Sequence, residues 1–311
     1  MSETAMAQNT AVCTDHSCRD ETTLDGFVII AVLWILGAMS VLASIYASYV
    51  ITTAAGIRNY DENLQSESIV SAALELTALR ELSVPQQDRS TSGQFSFQLG
   101  KAAVSVEYRS EAARIDLNAA PKNLLSGLFL ALGASKDNAD KYADSVIEWR
   151  TPPRLQGATG GAANHSFDHL RRGAKFPHPA ELARVQNLPP DLVRRTLPLV
   201  TVYSGIAKVN ILDAAPQVVA ALPGMTSDRL NAILAARQNN GTDTQKLAEL
   251  LGPLQGLVTT QAGRTFRVTV NSSFPAGMRK SSEAVILLFN NGPEPYSILS
   301  WRDNIDRSIA Q

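Results

Sequence analysis

Cysteine is nearly missing from this 311-residue chain, and the only two, Cys13 and Cys18, fall in its first 26 residues. From residue 27 onward no disulfide framework is possible, which suits an extracytoplasmic domain without demanding one. The Cys-x4-Cys pair beside His16 has no fourth ligand nearby and does not read as a metal site. No Gly-x-Ser-x-Gly, phosphate-binding glycine loop or Cys/His constellation appears. No catalytic residue is therefore expected, and the chain does not read as an enzyme. Neither sign of charge is in large excess: the formal net charge is −1, and removing residues 1–26 leaves 27 basic residues against 24 acidic ones, a net of +3. That surplus is too small to argue for nucleic acid by itself. A hydrophobic content of 45% with 18% charged residues is ordinary for globular proteins and excludes general disorder.

The most informative absence is local. Phe27 to Ile51 contains no charged residue, and thirteen of its side chains are Phe, Val, Ile or Leu. At roughly −0.3 to −0.6 kcal/mol each, these favour insertion into a bilayer by about 4 to 8 kcal/mol. The segment is long enough to cross a hydrocarbon core of about 30 Å as a helix. It opens abruptly, with a polar, acidic leader ending at Gly26 and a bulky Phe27 beginning the apolar run. A secretory signal would instead carry a positive leader, an apolar run of about 7–15 residues and a small-residue cleavage site after it.

Beyond the span, Ile57, Tyr60, Leu64, Ala72, Leu76 and Leu79 recur at helical spacing between charged residues, predicting an amphipathic helix continuous with the membrane one, its apolar stripe packed on the chain's own antiparallel sheet. Phe27 to Leu82 would make a single rod of about 84 Å. Pro85 and the polar run after it end the helix. Phe95, Phe97 and Leu99, a Gly100-Lys101 turn, and Val104, Val106 and Tyr108 then predict a β-hairpin, with a third strand over Ala112 to Leu117. From Asn118 the period becomes helical. After helices near 214–222, 227–238 and 244–251, extended segments return at 265–270, 284–289 and 296–301. A helical block is thus expected inside an α+β module, as if inserted at a loop.

Two segments repeat: ARIDLNAAPKNLLSGLF from Ala113 and AKVNILDAAPQVVAALP from Ala207. In each, Asn118 or Asp213 is expected to cap a helix begun by Pro121 or Pro216. His165, Asp168 and His169 offer His-x3-His spacing, but they lie in a Gly-rich loop, with His178 only loosely placed, and read as solvated polar residues.

Taken in order, Gly26-Phe27 with Val32 to Trp34, ARIDLNAAP at Ala113–Pro121, YADSVIEWR at Tyr142–Arg150, FPHPAEL at Phe176–Leu182, PLVTVYS at Pro198–Ser204, KVNILDAAPQVVAALPG at Lys208–Gly224 and ILSW at Ile298–Trp301 resemble the K-type minor pseudopilins of type II secretion. The resemblance implies a prepilin leader cut after Gly26 by a prepilin peptidase, with a methylated amine on Phe27. It also implies a single pass through the inner membrane, a periplasmic C-terminal part, and a place at the tip of a pseudopilus beside other minor pseudopilins. Exported proteins would meet that tip. Major subunits of this class carry a glutamate at the fifth mature position; here that position is Ala31, as in the family's own exception. Ala31, Trp34, Ile35 and Leu36 are the expected membrane and assembly positions. Relatives often follow the Trp-Arg with an acidic, calcium-associated loop. Between Thr151 and Lys175 this chain offers one carboxylate, Asp168, against Arg154, Arg171, Arg172 and Lys175, which argues against calcium there. No cofactor and no metal are expected.

The expected organisation is a leader (1–26), a transmembrane and amphipathic helix (27–82), the first part of a pilin-like sheet (83–117), an inserted all-α domain (118–205), a second helical repeat unit (206–255) and the rest of the antiparallel sheet (256–311). The function this implies is that of a structural subunit capping the tip of the pseudopilus and supporting protein export. The alternative is a membrane-anchored DNA receptor with helix-hairpin-helix units at Leu222-Pro223-Gly224-Met225 and Asn187-Leu188-Pro189-Pro190. These have one glycine between them and Asp228 beside Arg229, a poor phosphate cradle.

Overall fold

Alternation builds the sheet. In β2 (Ala102–Ser110), Ala102, Val104, Val106 and Tyr108 are buried and the side chains between them exposed, because successive side chains of a strand point to opposite faces. The computed structural model describes residues 22–152, 173–238, 244–275 and 277–303. β2 pairs on one side with β1 (Ser92–Leu99) and on the other with β7 (Thr265–Ser273), followed by β8 (Arg279–Leu288) and β9 (Tyr296–Asp303). All four pairings are antiparallel. Everything between β2 and β7 in sequence is an insertion at this sheet.

The chain divides into two units, Met1–Leu64 and Gln65–Gln311, and the long helix α1 spans Thr22–Leu82. Within the second unit, α1 buries Ile69, Val70, Ala73, Leu74 and Ala78 against Val104, Val106, Phe266, Val268 and Ile286 of the sheet. This is a different stripe from the one anticipated. Leu76 is 38% and Leu79 65% exposed, because the helix has two apolar faces and the sheet covers only the one carrying its smaller and β-branched residues. Arg89 fastens the end of α1, donating from Nε to Glu81 O at 2.8 Å and from Nη2 to Asn290 Oδ1 at 2.6 Å.

The expected third strand does not join this sheet. Residues Glu111–Ala113 form a 3-10 turn, and only Ile115–Asp116 are extended, as β3, pairing in parallel with β4 (Val200–Thr201). The second copy of the repeat does the same: β5 (Val209–Asn210) pairs in parallel with β6 (Val258–Thr259). After β3 come α2 (Lys122–Ala131), α3 (Lys136–Arg150) and α4 (Pro190–Thr196). After β5 come α5 (Pro216–Ala220), α6 (Ser227–Gln238) and α7 (Thr244–Leu251). Buried Leu124, Leu125, Leu128 and Phe129 of α2, Val218 and Val219 of α5, and Ile233 of α6 share one core.

Hydrogen bonds set the register of the two copies and correct the capping expected for them. Asp116 Oδ1 accepts from Asn118 N at 2.7 Å, and Asn210 Oδ1 accepts from Leu212 N at 2.8 Å. Both are side-chain turns of the kind short acidic and amide residues favour. Leu125 N donates to Pro121 O, and Val219 N to Ala215 O, so Pro121 matches Ala215 in space and not Pro216. Neither α2, which follows Pro121, nor α5, which begins at Pro216, has a side-chain cap bond. Asn118 instead exchanges two bonds with the Phe176 backbone, at 2.9 and 2.7 Å, and Asp213 accepts from Ser92 Oγ at 2.8 Å. Arginines at the ends of the second helices instead tie down the carbonyls of the two entry loops. Arg150 of α3 donates to Leu117 O and Ala120 O, at 2.6 and 2.7 Å, and Arg237 of α6 donates to Ala214 O at 2.8 Å.

One buried ionic network ties the insertion to the sheet. Arg267 of β7 grips Glu111 of the 3-10 turn, Nε to Oε1 at 2.6 Å and Nη2 to Oε2 at 3.2 Å, with side chains only 11% and 1% exposed. Glu111 also accepts the Thr201 hydroxyl of β4, while Arg267 and Arg302 both reach Glu283 of β8. Burial, the largest single influence, would raise the Glu111 and Glu283 carboxyls, but the surrounding cations together outweigh it, Arg267 foremost, with Arg114 acting on both and Arg302 on Glu283, and hold both below the usual range.

Two outcomes follow, both read by urea unfolding of the detergent-solubilised chain. A Cβ at Gly127 of α2 would stand 2.0 Å from Ala221 O. Gly127→Val is therefore expected to cost at least about 1–3 kcal/mol by overpacking, whereas exposed Leu130→Ala should stay within about 0.5 kcal/mol. Because the Glu111 and Glu283 values are depressed on folding, their stabilisation is complete above the unfolded value of about 4.3 and is lost as pH falls through the folded values. Glu111→Gln should cost about 3 kcal/mol at pH 7, with the gap to the parent closing below about pH 4. A deficit independent of pH would contradict this.

Candidate assembly surfaces

A helix without charge needs a partner that is not water. Within the first unit, Phe27–Thr53 of α1 forms an apolar span of 27 residues with mean hydropathy 2.6 and none of its most apolar window buried. Phe27, Trp34, Ile35 and Leu36 are 70%, 76%, 60% and 58% exposed, and Ala31 is half-buried. Gly26 precedes them inside α1. Two hydroxyls of the span bond back to their own helix. Ser44 Oγ donates to Ser40 O at 2.9 Å, and Thr52 Oγ1 to Ser48 O and Tyr49 O at 3.0 Å each. Hydroxyls satisfied by their own helix are compatible with lipid, where an unpaired polar group is costly.

In the second unit α1 offers another uncovered apolar strip, Leu76 and Leu79. Their spacing of three puts them on one helix face. Sequence reading had assigned them to the chain's own core, since periodicity reports a face and not what covers it.

The outward side of the sheet is polar. At its edge with the Glu111–Ala113 turn lies a cleft of about 490 Å³, lined by Tyr108, Arg109, Arg114, Arg267 and Glu283 among others. It joins residues from β1, β2, β7, β8 and the segment before β3. No local sequence signal marks it, because Glu111 and Arg267 are 156 positions apart.

The helical hairpins use their cations internally. Gly224, with φ 69°, and Asn187, with φ 65°, make the two turns. Beyond them, Arg229 donates to Leu250 O, Arg194 pairs with Asp191, and Arg195 donates to Leu132 O at 2.8 Å. Nδ1 of exposed His178 accepts from Ala180 N at 3.1 Å, capping a 3-10 turn. His165, Asp168 and His169 lie outside the described residues. Among the described residues no group of three or more His, Cys, Asp or Glu side chains is placed to hold a metal ion.

Residues 102–205 match the family model for protein K of the type II secretion system (T2SS). No curated protein matches the sequence. Among solved structures, the K subunit in the crystal structure of the GspK–GspI–GspJ complex from enterotoxigenic Escherichia coli is similar, with a TM-score of 0.52 and 19% identity. That match covers 80% of this chain and 99% of the solved one. Residues 102–205 thus resemble protein K of the type II secretion system, and the chain shares the α+β fold of the solved K subunit.

Proposed function

We propose that this protein is a non-enzymatic subunit at the tip of a type II secretion pseudopilus, anchored before assembly in the inner membrane by Phe27–Thr53, with residues 65–311 in the periplasm. The observation that carries this reading is the apolar span, none of whose most apolar window is buried, together with the uncovered Leu76–Leu79 strip on the same helix. A prepilin peptidase would cut after Gly26, and the new Phe27 amine would be methylated. The solved K relative is in complex with GspI and GspJ, and subunits of those two kinds are the partners we assign here. Capping is supported by the large insertion between β2 and β7, which adds a second core beyond the helix-on-sheet module. A subunit with nothing above it has no amine to neutralise, consistent with alanine and not glutamate at position 31. The DNA-receptor alternative is disfavoured by the internal use of Arg194, Arg195 and Arg229.

Substitution on the two apolar surfaces tests the reading. Ile35→Asp places a charge near the centre of the span, at about 2.5–3.5 kcal/mol, and should abolish both membrane insertion and secretion by the native system. Leu79→Glu should leave urea stability within about 0.5 kcal/mol while reducing recovery of neighbouring pseudopilins with the solubilised chain. Normal secretion by the Ile35→Asp variant would overturn the proposal.

A further inference from the structure

The polar cleft on the outward sheet face contains a cation that acts on the nearby Glu111 and Glu283 through its charge but is bonded to neither. Arg267 is committed to Glu111 and Glu283, and Arg302 to Glu283. The Arg114 guanidinium, half-buried in the wall of the cleft, makes no hydrogen bond or ion pair among the described residues, its backbone N–H alone donating to Glu111 O at 3.1 Å. Burial first, and Arg267 next, push its guanidinium down to about 10, with Glu111 and Glu283 only partly offsetting them. Arg109 stands directly across the β2–β7 ladder from Arg267, a like-charge pairing that costs stability. Four arginines (Arg109, Arg114, Arg267, Arg302) and three glutamates (Glu107, Glu111, Glu283) meet in and around the cleft. The local balance is one positive charge.

We propose that this cleft binds a single carboxylate through the Arg114 guanidinium, supplied in the assembled pseudopilus by an acidic side chain of a neighbouring subunit. The inference rests on the assembly reading above. A planar guanidinium takes a carboxylate in two parallel hydrogen bonds. One negative charge completes the local balance, whereas a doubly charged phosphate would meet the carboxylates of Glu107 and Glu283. The second repeat has Lys208 at the position of Arg114, and that residue is exposed and lines no such cleft. The buried cation therefore belongs to the first copy's place beside the sheet and not to the repeat as such. A half-buried charge without a partner lowers stability, so a site of this kind reveals itself by the opposite sign from a structural ion pair.

The test compares the full chain with its Arg114→Met and Arg267→Met variants in detergent, using acetate exchanged for chloride at constant ionic strength and pH 7. The parent should show a saturating rise in melting temperature of about 3–6 °C at ten times the Kd. Arg114→Met should melt at or above the parent without acetate and show no acetate response, while Arg267→Met melts well below both. Arg114→Met should also recover about tenfold less of the neighbouring pseudopilins from native membranes, while its N-terminus matures as in the parent. An equal acetate response in parent and variant, or an Arg114→Met melting temperature as low as that of Arg267→Met, would overturn the site. A lost acetate response with undiminished recovery of neighbours would overturn the subunit as the source of the carboxylate. Failure of either kind leaves the Ile35→Asp test of secretion untouched.

Discussion

Everything in this molecule answers to one constraint: an uncharged helical span whose apolar side chains are left exposed among the described residues. From Phe27 to Thr53 the exposed groups are mostly large and apolar, and the Ser44 and Thr52 hydroxyls bond to their own helix. Water is a poor solvent for such a surface, and lipid or the helices of other subunits are good ones. Nearer the sheet the same helix changes character. It presents one apolar face to its own sheet, through Ile69, Val70, Ala73, Leu74 and Ala78, and leaves Leu76 and Leu79 outward. A helix with an occupied face and a vacant one is suited to being bound twice, once within the subunit and once between subunits.

The large insertion is built economically from one unit used twice. Each copy consists of a short strand, a side-chain turn at Asp116 or Asn210, and a helix whose entry-loop carbonyl accepts from an arginine at the end of the next helix. Because Gly127 of α2 lies against the Ala221 carbonyl, just beyond α5, the copies meet backbone to backbone. The network centred on Arg267 then holds the first copy to the sheet through Glu111 and Thr201. These groups carry no local pattern, yet they decide how the two cores are joined.

That division explains what could be read in advance. The span, the hairpin of β1 and β2, the return of strands after the helices, and the repeat itself are written in local periodicity, and the α+β class with an inserted helical part follows from their order. The stripe on α1 was misassigned because Leu76 and Leu79 have the right spacing for a core and only tertiary structure shows the other face buried. Ala112 to Leu117 was expected in the sheet because alternation does not distinguish a two-residue parallel pairing from a longer antiparallel one. Asn118 and Asp213 were expected as caps because they precede a proline. The arginines that hold the entry loops instead lie 30 and 23 residues further along the chain, beyond any local signal. The Arg114 cleft was illegible for the same reason, being assembled from strands at both ends of the sequence.

The most direct measurement of the central claim is the N-terminal mass of the mature protein isolated from its native membrane. A chain beginning at Phe27, with a methylated amine, is the result this account predicts, since it joins the exposed helix to the pseudopilin maturation route. A mature protein that keeps its residues before Gly26, or one cut beyond the apolar span, would contradict it.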